Sequence, residues 1–274
     1  MELVKRTEVQ FKNYEKQSVL IKNNNINLSA AYYSPINNQG QLAAVVIVHG
    51  SAASTYDDVA FYTNIATQLG MSVLAFDKRG VGGSSGKYQS FTVEESIPWF
   101  NLLASDVLAC LNWLREQPEI DTTKIGLLGG SQAGWIMPLA ASKDKEVKFI
   151  ISGEGVSVSA GEENYFSELT GDGSDSGLPI SRADEKLRTF TGPKGFDPRS
   201  ILKNMDTKTL WFFGTADPVI PVDASLRELK ELDNPNFEVV IFHYGDHNFN
   251  NIKTGERYDL VNYIKPWLIK NGVL

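Results

Sequence analysis

Along most of the chain, segments with the apolar pattern of a strand alternate with segments that have the apolar spacing of a helix. Apolar or alternating runs predict strands at 17–22, 26–33, 43–48, 72–76, 124–128, 147–152, 209–213 and 238–243. Between these runs, apolar residues recur at helical spacing in segments at 57–69, 99–115, 132–141, 222–232 and 257–270. The chain therefore alternates strand and helix after an opening pair of strands.

This alternation predicts an α/β fold with a mostly parallel central sheet, helices on both faces and right-handed crossovers. We expect one domain over 1–274, and ligands beyond the carboxyl ends of the strands. Residues 155–203 interrupt the rhythm with repeated Gly, Ser, Asp and Pro between two core strands. Because so long a structureless loop is uncommon in a compact domain, we interpret this segment as a small inserted cap.

The composition indicates which kinds of molecule the protein is expected to bind. Hydrophobic residues make up 42% of the 274 residues, charged residues 22%, and the formal net charge is −7. A negative field repels phosphates, so we expect no nucleic-acid partner, and the longest apolar run, 42–48, is too short for a membrane span. No His or Cys spacing indicates a metal site, and the Gly-rich loop at 80–86 lacks the lysine of a phosphate-binding loop. We expect neither a metal nor a cofactor, and a small-molecule substrate.

The single cysteine, Cys110, rules out an intrachain disulfide, which fits a reducing compartment. The first residues lack the apolar core of a signal peptide. These features predict a cytoplasmic protein, although a chain whose signal had been removed would have the same sequence. The sequence does not indicate an oligomeric state.

A candidate nucleophile, Ser131, lies between a predicted strand and a predicted helix, in the sequence Gly-Gly-Ser-Gln-Ala-Gly at 129–134. A nucleophilic serine at such a sharp turn exposes its hydroxyl above the sheet and needs small residues two positions before and after it. Gly129 and Ala133 hold those positions, and Ala133 adds a methyl where glycine is usual. A plain Gly-Ser turn is the alternative, and the flanking strand and helix favour the nucleophile.

A serine needs a base, and the chain has three histidines. His49 belongs to a turn directly after a strand, and His243 ends a strand, where a half-buried structural role is expected. His247 lies in the loop between the last strand and the last helix, which is where the serine–acid–histidine order of this architecture puts the base. We therefore predict His247 as the general base.

The third residue must orient the imidazole and stabilise its charged form. Asp217 follows the strand ending at 213 and lies one loop away from His247, and Glu154 is the rival acid after the preceding strand. For the oxyanion we predict two backbone donors, the amides of Gln132 and Ser51.

With these residues in place, the chain resembles the α/β-hydrolases, and among them the bacterial carboxylesterases related to serine aminopeptidases and acyl thioesterases. The resemblance extends over about residues 15–270 and is carried by segments at 48–51, 76–86 and 118–134, and by those containing Asp217 and His247. It implies hydrolysis of an ester of a small to medium acyl group through an acyl-enzyme on Ser131, without a cofactor. An aminopeptidase, amidase or thioesterase on the same triad, and a non-catalytic binding module on this fold, remain the alternatives.

The start of the predicted cap is acidic. Six carboxylates and no lysine or arginine lie between residues 154 and 176: Glu154, Glu162, Glu163, Glu168, Asp172 and Asp175. A solvated surface is the simple interpretation. The alternative is that one or two of them face the pocket and bind the amine of a substrate.

Overall fold

The structure is a computed structural model that describes residues 13–36 and 40–274. Eight strands lie within these residues: β1 (Tyr14–Asn23), β2 (Ile26–Pro35), β3 (Leu42–Val48), β4 (Ser72–Phe76), β5 (Ile120–Gly130), β6 (Phe149–Gly153), β7 (Lys208–Gly214) and β8 (Phe237–Phe242). The same part of the chain contains eight helices: α1 (Ala60–Gln68), α2 (Ser96–Arg115), α3 (Ala133–Lys143), α4 (Ala160–Thr170), α5 (Ile180–Leu187), α6 (Arg199–Lys203), α7 (Val222–Leu232) and α8 (Val261–Lys270).

The strands form one sheet in the order β1-β2-β4-β3-β5-β6-β7-β8. The hairpin of β1 and β2 and the contact of β2 with β4 are antiparallel, and every other neighbouring pair is parallel. Strand β3, which is apolar throughout, and the buried second half of β5 lie in the middle of this sheet, where both faces are covered. The predicted α/β fold with a mostly parallel sheet is confirmed.

Alternate residues of each strand pack on opposite faces of the sheet, as the pleat requires. In β7, Trp211 and Phe213 belong to a core that includes residues of α2, α3 and α7. Leu210 and Phe212 belong to a second core with residues of α1 and α8. The helices therefore cover both faces, and all the loops that follow the parallel strands open at one edge.

Helix α2 is long and apolar enough, by length and composition, to cross a membrane, and half of its most apolar stretch is buried in the fold. The helix contains no long uninterrupted apolar run, because polar residues are spread along it. One of them, Asp106, is buried and forms a 2.7 Å ion pair with Arg79. A core helix of a globular protein has this pattern.

The segment for which the sequence predicts a cap contains α4, α5 and α6. Phe166, Ala183 and Leu187 form a small apolar cluster of their own. Arg199 joins this segment to the rest of the domain, because its guanidinium pairs with Glu162 at 2.9 Å and with Glu228 of α7 at 2.5 Å.

Three predicted helix starts are wrong by a few residues: the helix predicted at 99–115 begins earlier, at Ser96, and two others begin later than predicted. The helix predicted at 57–69 begins at Ala60, since the preceding residues form a turn in which the Asp58 carboxylate accepts the Thr55 amide at 2.7 Å. The helix predicted at 257–270 begins at Val261, because Arg257 pairs through its backbone with Asn250. In both places a local backbone hydrogen bond competes with the helix.

Candidate active site

Ser131 follows the last residue of β5 and adopts φ +56°, a left-handed conformation that is uncommon for any residue but glycine. Its amide donates to the carbonyl oxygens of Gly153 at 3.0 Å and Glu154 at 3.1 Å, at the end of β6. Its own carbonyl accepts the amide of Gly134 in the first turn of α3 at 2.8 Å. The turn is strained, and these bonds to the neighbouring strand and helix hold it in place.

The residues around the turn must be small, as the sequence predicts. A Cβ at Gly129 would overlap the Val48 carbonyl oxygen and approach the Ala133 methyl to 2.9 Å, and a Cβ at Gly130 would overlap the hydroxyl of Tyr62. The methyl of Ala133, the departure from the usual glycine, is fully buried and lies on the side where Gly129 has no side chain. Glycine at 129 therefore makes room for alanine at 133.

His247 and Asp217 are joined by a hydrogen bond. His247 Nδ1 lies 2.7 Å from Asp217 Oδ2, and the aspartate side chain is fully buried. The second oxygen, Asp217 Oδ1, accepts the amides of Val219 at 2.7 Å and Ile220 at 3.2 Å. Burial opposes protonation of His247, but the hydrogen bond and the charge of Asp217 outweigh it, so the pKa of His247 is raised.

Ser131 and His247 line one cavity of about 360 Å³ at the carboxyl edge of the sheet. No hydrogen bond joins the Ser131 hydroxyl to His247 in the described residues, and such bonds are often loose in a site without substrate. Three aromatic rings, those of Phe61, Tyr62 and Phe249, form an apolar part of its wall. The structure thus brings the predicted serine, histidine and aspartate to one place from loops after β5, β8 and β7.

Glu154 also lines this cavity, but it does not contact His247 through a hydrogen bond. Its side chain is buried, and within the described residues neither carboxyl oxygen has a hydrogen-bond partner. Burial, together with the nearby charge of Asp217, raises the pKa of Glu154 well above its usual range. Its surroundings therefore favour the neutral form of Glu154 in the wall of the cavity.

Ser51 lies near the nucleophile because Gly50 packs against it: a Cβ at Gly50 would be 3.5 Å from Ser131 Cβ. Ser51 lines the cavity, and Gln132, at the start of α3, is buried behind the serine. Within the described residues, the backbone amides of Ser51 and Gln132 have no acceptor. Two free amide donors on either side of Ser131 can stabilise a negative oxygen.

Lys78 is the residue of this region that sequence reasoning missed. Its side chain is buried two residues beyond the end of β4, and its ammonium contacts the carbonyl oxygens of the loop that contains Gly50 and Ser51. The only signal in the sequence is a lysine two residues after a strand that is apolar in all but its first residue. Arg257, also missed, lines the cavity and stacks over Phe61 at 4.9 Å.

The other histidines lie outside the cavity. His49 is buried, its Nε2 contacts the Phe76 carbonyl oxygen, and burial followed by the charge of Lys78 lowers its pKa to about 3. His243 lies one residue beyond β8 and is exposed, so the half-buried role expected from the sequence is wrong. Across residues 13–36 and 40–274, no group of three or more His, Cys, Asp or Glu side chains could hold a metal ion.

Comparison with family models matches residues 57–271 to the one described as the prolyl oligopeptidase family. This range contains Ser131, Gln132, Asp217 and His247, and Ser51 precedes it. Among curated proteins, an uncharacterised 31.7 kDa protein of Escherichia coli is 29% identical over 108 residues, 39% of this chain and 35% of that protein. The thiohydrolase aneE of Aspergillus aculeatus is 36% identical over 110 residues, 40% of this chain and 32% of that protein. The chain thus spans about a third of the length of the curated relatives it matches.

Solved structures share the fold at low sequence identity. An esterase of Pyrococcus furiosus aligns with a TM-score of 0.69 and 18% identity over 97% of this chain and 92% of that one. The acylaminoacyl peptidase of Pyrococcus horikoshii aligns with a TM-score of 0.68 and 20% identity over 98% of this chain and 43% of that one. A putative dienelactone hydrolase of Klebsiella pneumoniae aligns with a TM-score of 0.64 and 16% identity, over 95% and 99% of the two chains.

Proposed function

Because the chain belongs to the prolyl oligopeptidase family and is a hydrolase with the α/β-hydrolase fold, we propose that it cleaves carboxylic esters of small to medium acyl groups. Ser131 is the nucleophile, His247 the general base and Asp217 the acid that orients it. The observation that carries the proposal is the His247–Asp217 hydrogen bond at 2.7 Å, with His247 facing the same cavity as Ser131.

The hydrogen bonds set the order of proton transfers. With the Nδ1 hydrogen donated to the anionic Asp217, His247 has an unprotonated Nε2 to accept the proton of the Ser131 hydroxyl. The serine oxygen attacks the ester carbonyl, and the amides of Gln132 and Ser51 bind the negative oxygen of the tetrahedral intermediate. His247 returns its proton to the departing alcohol, and water activated by the same imidazole then cleaves the acyl-enzyme.

The charges of the cavity favour a neutral ester over a substrate with a free amine. Of the six carboxylates between residues 154 and 176, only Glu154 lines the cavity, and its raised pKa favours the uncharged form. Glu162, another of the six, is occupied by Arg199. Asp58 and Arg257 also line the cavity, and because their charges are opposite they add no net charge to its wall. An amine would gain little here, so the aminopeptidase alternative is disfavoured.

A thioester substrate is the second candidate. The thiohydrolase from Aspergillus aculeatus is 36% identical to this chain over 110 residues, and the attack of Ser131 on a thioester needs no group beyond those of the ester reaction. Matched acyl esters, acyl thioesters and aminoacyl anilides would rank the three classes. We expect the ester to have the highest kcat/KM, and a thioester that exceeds it would replace the proposal.

Replacing the nucleophile or the base tests the proposal directly. Ser131→Ala and His247→Ala should each lower kcat for a p-nitrophenyl ester by on the order of 10⁴ or more, because each removes a group that acts in the transition state. Far-ultraviolet circular dichroism should show that both variants keep the fold.

Matched controls are available for both residues. Ser142→Ala on the surface of α3 and His243→Ala, which is exposed, should keep wild-type rates. A folded Ser131→Ala protein with more than a tenth of the wild-type activity would rule out Ser131 as the nucleophile. Failure of a fluorophosphonate probe to label the wild-type protein would instead favour a non-catalytic binding module.

A further inference from the structure

Lys78 is a buried cation without a carboxylate partner in the part of the chain that the structure describes. The residue is 2% exposed and lies two positions beyond the end of β4. The next residue, Arg79, is buried too, but it pairs with Asp106 at 2.7 Å. Burying an unpaired charge costs free energy, so packing alone does not explain why a charged side chain lies here.

One loop accepts all the hydrogen bonds that the ammonium group of Lys78 can donate. Its Nζ donates to the carbonyl oxygens of Gly50 at 2.5 Å, Ala52 at 2.9 Å and Ser51 at 3.2 Å. An ammonium has three hydrogens, and three consecutive carbonyls accept them. The Tyr88 hydroxyl also donates to the Ser51 oxygen at 2.8 Å, and the ammonium lies 5.6 Å from the centre of the Tyr88 ring.

This contact reaches the reacting atoms through a single peptide group. The Gly50 carbonyl and the Ser51 amide belong to the same peptide, so a cation on the carbonyl oxygen withdraws electrons from the amide and strengthens it as a donor. Hydrogen bonds in a chain polarise one another in this way, and the effect is larger where water is excluded. The Ser51 amide has no acceptor within the described residues, and Ser51 lines the cavity that contains Ser131.

A purely structural role does not require the charge. Tyr88 already holds the Ser51 carbonyl with a neutral hydroxyl, and other neutral donors could hold the remaining two. A charge that is expensive to bury and lies one peptide from the place where negative charge develops is typical of a functional site.

We propose that Lys78 is a positioning residue for the oxyanion site: its ammonium fixes the carbonyls of residues 50–52 and polarises the Ser51 amide towards the negative oxygen. The inference rests on the proposed function, since it assumes that Ser131 forms a tetrahedral oxyanion. It adds an electrostatic contribution from a side chain that does not touch the substrate.

The protonation state of Lys78 connects this role to pH. Burial lowers its pKa to about 7. The titratable neighbours are few: His49, which is neutral because its pKa is lowered to about 3, and Tyr88, whose ring faces the ammonium. Because the cation is the active form, kcat should fall as pH rises through the pKa of Lys78, while the acid limb of the profile belongs to His247.

Lys78→Met tests the inference, because methionine keeps the length of the side chain and removes the charge. We expect kcat to fall by about 10- to 100-fold with KM within about twofold, less than the loss of an entire oxyanion donor. Ser131 adds to the carbonyl of a trifluoromethyl ketone and forms an anionic hemiketal. The affinity of the variant for this inhibitor should fall by a similar factor. The alkaline fall in kcat should disappear in this variant.

Two further variants separate charge from anchoring. Lys87→Met replaces an exposed lysine of the neighbouring loop and should leave all three readouts unchanged. Tyr88→Phe removes only the neutral bond to Ser51 and should lower kcat by less than about threefold, with the alkaline limb retained. A Tyr88→Phe variant as impaired as Lys78→Met would show that the loop needs anchoring and not charge.

The wild-type protein gives a test that does not depend on folding of the variants. Its affinity for the trifluoromethyl ketone should decrease as pH rises through the pKa of Lys78. A pH-independent affinity, or a folded Lys78→Met protein with wild-type kcat and an unchanged alkaline limb, overturns the inference. Failure of the proposed function is distinct from both results, because then the wild-type protein would neither react with fluorophosphonate nor hydrolyse esters.

Discussion

Two acids follow neighbouring strands at the carboxyl edge of the sheet and differ in almost everything but their burial. Asp217 follows β7 and Glu154 follows β6, and both residues are 1% exposed. Asp217 accepts hydrogen bonds from His247 and from the amides of Val219 and Ile220. Both carboxyl oxygens of Glu154 lack a partner within the described residues.

The surroundings of Glu154 favour its neutral form, because burial and the nearby charge of Asp217 both raise its pKa. Hydrogen bonds to a carboxylate stabilise its ionised form, whereas burial without donors stabilises the neutral acid. Asp217 accepts hydrogen bonds from three donors, and its charge helps to raise the pKa of Glu154. The sequence leaves both acids as candidates, and the loop amides after β7 separate them.

The largest expected effect is on Asp217. Asp217→Asn should lower kcat by on the order of 10⁴, because an asparagine can hold His247 in the wrong tautomer with its Nε2 protonated. Steady-state kinetics on a p-nitrophenyl ester, at equal concentrations of folded protein, measures the loss. If Glu154→Gln lost activity and Asp217→Asn kept it, Glu154 and not Asp217 would be the acid of the triad.

Stability should show the second effect. A raised pKa means that folded Glu154 keeps its proton while the unfolded chain releases it above its ordinary pKa of about 4.5. The wild-type protein should therefore lose stability relative to Glu154→Gln as pH rises from 4 to 7, by about 1.4 kcal/mol for each unit of pKa difference.

Urea denaturation at both pH values measures this difference, and a comparison across pH cancels the static effect of the amide. A Glu154→Gln variant whose relative stability does not change between pH 4 and 7 would show that Glu154 titrates normally.

The smallest expected effect is on the rate of Glu154→Gln. Glutamine resembles a protonated glutamic acid in shape and charge, so kcat/KM for a neutral ester at pH 7 should stay within about threefold of wild type. Glu154→Asp, which withdraws the acid from the cavity wall by one methylene, gives a matched comparison. A tenfold loss in Glu154→Gln, with the fold intact, would mean that the ionised form takes part in the reaction.

The fold could be predicted from the sequence because its signals are local. The apolar run of β3 and the helical spacing of α7 each fit one structure only, and the chain order of Ser131, Asp217 and His247 follows from the order of their strands. Helix starts were less predictable, since the turns before Ala60 and Val261 depend on hydrogen bonds of single side chains and amides.

The parts of the site that could not be predicted depend on contacts between distant residues. The three acceptors of Lys78 are 26 to 28 residues away from it in the chain. The raised pKa of Glu154 depends on its burial beside Asp217, which is distant from it in the chain. A sequence pattern records which side chains are present and how they are spaced, but not which of two buried acids receives the donors.

Arg199, whose guanidinium joins Glu162 of the inserted segment to Glu228 of α7, has a consequence for how the protein unfolds. The apolar cluster of the insertion contains three buried residues, too few to stabilise α4 and α5 apart from the domain. These helices are held to the domain by Ala160 of α4, which belongs to the main core, by the ion pairs, and by the hydroxyl of Thr170, which donates to the carbonyl of Pro218, the residue after Asp217. Opening of α4 would release the loop that carries the acid, so the amides of both segments should exchange with solvent hydrogen as one cooperative unit.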